Sequence, residues 1–221
     1  MDHRQQWNAG ADEGAGSGVL AEQGSYMLRA KRRKVARRRL FLLLFIIIVV
    51  IIVAQPAWML KKLYPIDYKA DIRASAISYQ VDPHLVAAII KAETNFQTGK
   101  VSKKGALGLM QIMPTTAEWI VKKAGFEQVT EETLRNRADV SIELGVWYLA
   151  SLHKQFDENN IVVIAAYNAG PGKVRQWLDS GEWDGTFEEA AKIPYKETRD
   201  YVQKVVKYYN KYKDLYPELE P

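Results

Sequence analysis

The chain has no cysteine in its 221 residues. That excludes disulfides, thiol catalysis and thiolate metal sites, and it suits an exported domain that folds without oxidation. Histidine is scarce as well. His3, His84 and His153 are scattered, none stands at metal-ligand spacing with carboxylates, and all three read as surface imidazoles. No metal or other cofactor is expected. No alternating apolar–polar run with hairpin turns appears, which argues against a sheet. Phosphate-cradling loops, dinucleotide fingerprints, nucleophile elbows and internal repeats are missing too. Charge is absent from one long stretch, between Arg39 and Lys61.

That charge-free stretch, residues 40–60, is about as long as the roughly 20 residues a membrane-spanning helix needs, and Trp58 suits the interface beyond it. Residues 1–39 hold nine Lys or Arg against four acids, whereas residues 40–221 carry 22 of each sign. The basic excess is therefore a cluster ahead of the span. It reads as a positive-inside signal and not as a nucleic-acid footprint. The expected organisation is a cytoplasmic, glycine-bearing disordered tail over 1–39, an uncleaved single-pass anchor in the lipid bilayer over 40–60, and an extracytoplasmic domain over 61–221.

The outer domain reads as all-α. Amphipathic spacing predicts a helix over 66–80. Asp82-Pro83 is an N-cap with proline at the first helical position, opening a helix that ends near Glu93. Further helices are expected from Thr115 or Thr116 to Gly125, over 138–156, over 161–168 as the buried central helix, over 173–179, and over 197–212. Thr186–Glu189 reads as a capping box for a small helix between the last two.

Within the helix over 83–94, Leu85, Val86, Ile89 and Ile90 form one stripe, with His84 and Lys91 opposite. Glu93 falls near the centre of the stripe. A carboxylate on a core-facing stripe is desolvated and its pKa rises, which is what a general acid requires. The competing reading is a glutamate at a fraying end that bends out to solvent. Gly105 and Gly108 flank an apolar stretch ending in Gln111, whose amide can both donate and accept. Tyr167 and Asn168 end an otherwise aliphatic helix; a core tyrosine with a capping asparagine accounts for them equally well. Glu197 also reads as a first-turn acid favoured by the helix dipole.

In order and context, four blocks resemble the lytic transglycosylase family related to goose-type lysozyme. They are Val81–Val86 leading to Ala92-Glu93-Thr94, Ser102 with Gly105–Pro114, Ala166–Gly172, and Ile193–Arg199 with Tyr201-Val202. The resemblance covers about residues 66–213. It implies a lysozyme-like helical domain that cleaves the MurNAc–GlcNAc β-1,4 bond of peptidoglycan glycan strands and leaves a 1,6-anhydromuramoyl end. It also implies that Glu93 is the catalytic acid and base, and that Thr94 stands where serine is usual. Gln111 and Met113 would line the sugar groove, Tyr167 would orient Glu93 or substrate, Glu197 would contact polar groups of substrate, and Tyr201 would line the groove. Ser141, where the family often has asparagine, reads as a helix cap. Two alternatives stay open: a hydrolytic muramidase using Glu197 or Asp200 as a second acid, and a non-catalytic wall-binding scaffold.

Overall fold

The computed structural model of the chain describes residues 34–52, 57–127 and 129–219. It divides into two units, Met1–Met59 and Leu60–Pro221. In the first, residues 34–52 are helical and their side chains stand exposed, Phe41 by 72%. Lys34, Arg37, Arg38 and Arg39 occupy the start of the described helical run, and its apolar part within the described residues is 40–52. The anchor expected over 40–60 falls partly on residues 53–56. Residues 53–56, and most of the tail expected over 1–39, lie outside the described residues. Among the described residues no helix is long and apolar enough to cross a membrane.

The second unit is helical, as its patterning predicts. Following a short helix, Ala57–Leu63, the described elements are α1 (Lys69–Tyr79), α2 (Pro83–Glu93), α3 (Pro114–Ala124), α4 (Glu131–Asn136), α5 (Ala138–Gln155), α6 (Asn160–Ala169), α7 (Pro171–Asp179) and α8 (Lys196–Leu215). No strand occurs among the described residues; Val101–Leu107 and Leu107–Ile112 are isolated antiparallel bridges within one loop. The caps explain the boundaries. The Asp82 side chain accepts from the His84 N–H, Asn159 accepts from the Ile161 and Val162 N–H groups, and Gly125 closes α3 at φ 72°. Thr186 does accept from the Glu189 N–H, but only a 3-10 turn, Ala190–Lys192, follows. The helix expected there is a single turn.

Helices α2 and α6 share the centre, α8 lies along both, and α5 packs on α1 and α6. The stripe read into α2 is too narrow, because every residue from Pro83 to Ile90 is buried. His84 is a core residue at 0% exposure. Its Nε2 donates to the Tyr216 carbonyl at 2.8 Å and its Nδ1 lies 3.1 Å from Asp82 Oδ1. The C-terminal segment covers what would otherwise be the outer face. His153 is buried as well, and burial lowers its pKa. The surface-imidazole reading therefore fails for both; His3 lies outside the described residues.

Candidate active site

Glu93 is the last residue of α2, where the helix leaves the core. The Tyr201 hydroxyl, from α8, donates to Glu93 Oε1 at 2.7 Å. One turn further along α8, Lys204 donates to the Ala92 carbonyl at 2.6 Å. Burial pushes the Glu93 pKa from an ordinary 4.5 up to about 7; Tyr201 and Lys204 pull against it, and the charge of Glu197 adds to the rise. Burial wins because Tyr201 offers one neutral hydrogen bond and the Lys204 ammonium is solvated, whereas the carboxyl has lost most of its water. Burial also holds the Tyr201 phenol well above its usual range, so it stays a protonated donor.

The segment that follows α2 is the loop from Asn95 to Met113, and three hydroxyls from three helices pin its centre. Thr94, the C-cap of α2, donates to the Leu109 carbonyl at 2.8 Å. Ser141, in the first turns of α5, accepts from the Met110 N–H at 3.1 Å. Tyr167, on α6, donates to the Met110 carbonyl at 2.8 Å. Leu109 and Met110 are wholly buried, and the Met110 thioether fills the space that a Cβ on Gly145 would take. Gly108 has φ +72°, and a Cβ there would stand 2.1 Å from the Leu134 carbonyl oxygen, so only glycine fits. Pinned in this way, the chain turns at Gln111 with φ 52°, its Nε2 donating to the Gly108 carbonyl at 2.7 Å. Met113 emerges 39% exposed as the N-cap residue of α3.

The expected site residues thus separate. Glu93 and Tyr201 are in direct contact, and burial, with the nearby Glu93 charge adding to it, holds the Tyr167 phenol well above its usual range. Gln111 and Met113 follow the pinned segment. Glu197 stays at the rim, exposed, its Oε2 accepting from Lys104 Nζ at 2.7 Å. The Thr94 and Tyr167 hydroxyls, expected toward substrate or Glu93, each donate to a backbone carbonyl. Ser141 differs from the capping reading too: Arg137 is the N-cap of α5, and the Ser141 hydroxyl accepts from the Met110 N–H. The tyrosine that holds Glu93 is Tyr201, read from sequence only as lining the groove. Lys204 went unread; its signal is the i, i+3 spacing from Tyr201 on the same helix face. Asp200 is paired with Lys196 at the surface.

Known proteins share this fold. The transglycosylase SLT domain family matches residues 71–189. The chain belongs to that family. It is 34% identical over 152 residues to the soluble lytic murein transglycosylase of Escherichia coli K12, covering 67% of this chain and 23% of that protein. It is 29% identical over 161 residues to membrane-bound lytic murein transglycosylase C of Actinobacillus pleuropneumoniae, covering 64% of this chain and 44% of the relative. Among solved structures, the 70 kDa soluble lytic transglycosylase of Escherichia coli superposes with a TM-score of 0.68 at 32% identity, over 74% of this chain and 27% of that one. An inactive Glu-to-Gln mutant of lytic transglycosylase Slt from Pseudomonas aeruginosa gives 0.65 at 36% identity, over 74% and 26%. The fold is therefore that of the lytic transglycosylases. The chain spans about a quarter of the length of the first curated relatives it matches.

Proposed function

We propose that this protein is a peptidoglycan lytic transglycosylase, cleaving the MurNAc–GlcNAc β-1,4 bond without water. The observation that carries this reading is the buried carboxyl of Glu93, pushed by burial to about 7, while the candidate second acids Glu197 and Asp200 stand exposed and ion-paired. Ordinary glycosidases place a second carboxyl about 5–9.5 Å away, as nucleophile or to activate water. Here Glu197 is bound to Lys104 and Asp200 to Lys196, both at the surface.

One group can serve both steps when the sugar supplies the nucleophile. Tyr201 occupies Oε1, so the acidic proton of Glu93 resides on Oε2. Glu93 gives that proton to the glycosidic oxygen as the C1–O bond breaks, and the neighbouring N-acetyl group stabilises the oxocarbenium-like charge. The 6-hydroxyl of the same muramoyl residue then bonds to C1, and the Glu93 carboxylate takes its proton. The acid is regenerated and a 1,6-anhydro ring is formed. A pKa near the working pH suits an acid that must become a base within one turnover. Gln111, Met113, Glu197 and Tyr201 line the groove in this scheme, while Thr94 and Tyr167 hold its floor.

Residues 40–60 anchor the chain in the bilayer, with 1–39 cytoplasmic and the domain over 61–221 extracytoplasmic. The charge-free stretch behind eight basic residues from Arg29 to Arg39 supports this reading. Mass spectrometry of digested peptidoglycan tests the chemistry: anhydro ends are expected, reducing ends would make the enzyme a hydrolase, and binding without cleavage would leave a scaffold. Protease added to intact protoplasts tests the topology. It is expected to destroy the domain and spare the tail.

A further inference from the structure

From Tyr167 an unbroken series of aromatic rings leads away from Glu93. Tyr167 packs on Tyr148 with ring centroids 5.5 Å apart, Tyr148 meets Trp119 edge-on at 6.3 Å, and Trp119 meets Trp147 at 5.6 Å. Tyr148 is buried, but Trp119 leaves 39% of its surface exposed. Beside it opens a cavity of about 320 Å³, lined by Thr115, Thr116, Trp119, Tyr148, Gln155 and Pro171. Ring faces, hydroxyls and one amide make up this wall, and no lining side chain is charged.

Such a lining selects one part of the polymer. A pyranose presents a face of C–H groups to an indole and a rim of hydroxyls and amides to Thr and Gln side chains. Stem peptides carry carboxylates and amines, which no lining side chain matches in charge; the neighbouring Arg175 guanidinium donates to the Gln155 carbonyl. Trp119 stands six residues beyond Met113 along α3, a rise of roughly 9 Å. The cavity therefore receives a different sugar from the one at Met113.

We propose that Trp119, with Tyr148 and Gln155, forms a distal subsite that stacks a pyranose of the glycan strand remote from the bond cleaved. The proposal rests on the transglycosylase reading above and extends it: the domain grips long strands better than short ones. Purely structural packing of Trp119 on Trp147 would give no dependence on strand length.

Uncrosslinked glycan strands of defined length provide the test, titrated against the full chain in detergent carrying Glu93→Gln so that nothing is cut. Adding Trp119→Ala is expected to raise Kd at least tenfold for strands of several disaccharides, with the ratio shrinking stepwise as the strand is shortened. Trp119→Phe should recover most of the loss. A Kd ratio near one at every length, or the same loss at every length, overturns the subsite. Failure of the transglycosylase reading shows separately, as intact strands after incubation with the wild-type chain, and the binding measurement stands either way.

Discussion

Replacing Glu93 by glutamine should stabilise the protein at alkaline pH while abolishing its activity, and the size of the gain follows from the burial of one carboxyl. In the folded chain that group titrates at about 7, against 4.5 for an ordinary glutamate. A folded pKa raised above its unfolded value means that the fold favours the protonated form. That contribution is fully present below about pH 4.5 and is lost as pH rises through about 7. At about 1.4 kcal/mol per tenfold change in the protonation equilibrium, the ceiling is about 3 kcal/mol. Glutamine is nearly isosteric with the protonated acid, still offers Tyr201 an acceptor, and cannot ionise. The variant and the wild type should therefore melt within a degree or two of each other near pH 4. By pH 8.5 the variant should be ahead by about 2–3 kcal/mol, roughly 4–12 °C in Tm for a domain of this size. Cleavage should fall by about 10²–10⁴. The measurement is a series of thermal melts across pH 4–9 on both proteins, with muropeptide release assayed in parallel. A Tm difference that does not change with pH, or a wild type more stable at pH 8.5, would show that the ionised carboxylate is well solvated, and Glu93 would lose its claim to be the acid.

Three further substitutions separate the roles around it. Tyr201→Phe removes a hydrogen bond that favours the carboxylate, so the Glu93 pKa should rise and the alkaline limb of kcat/KM should move to higher pH in a pH–rate profile. Tyr167→Phe removes only the bond to the Met110 carbonyl; it should lower stability by about 1 kcal/mol in a denaturant melt and leave that limb in place. Gly108→Ala combines a positive φ with a Cβ driven onto the Leu134 carbonyl, and a loss of roughly 3 kcal/mol or more is expected from the urea midpoint, with activity falling as the pinned segment shifts.

Most of the helical frame was legible because local signals set it. Asp82-Pro83 opens α2, Gly125 closes α3, and Gly170 separates α6 from α7. Where the local signal was unusual, the reading slipped. The capping box of α4 uses Thr133 where the common pattern has Glu or Gln, so only the Thr130 cap and the first-turn acids Glu131 and Glu132 mark that six-residue helix. Thr186–Glu189 has the common pattern, yet only one 3-10 turn follows: the Thr186 N–H donates to Asp184 and the Glu189 carboxylate pairs with Lys192, so the reciprocal bond of the box is not made.

The site divides along the same line. The desolvation of Glu93 depends on its own helix and could be read from periodicity. Which hydroxyl reaches which acceptor depends on backbone brought together from α2, α5, α6 and α8, and sequence spacing carries no trace of it. Thr94, Ser141 and Tyr167 each looked like a residue serving a ligand or a helix end; together they fix two consecutive residues, Leu109 and Met110. That division of labour has a physical reason. A groove that must present Gln111 in a left-handed conformation stores strain in its backbone, and such strain persists only where the surroundings over-determine it. Three hydrogen bonds from three separate helices supply that constraint, and they leave Tyr201 as the hydroxyl that holds the acid.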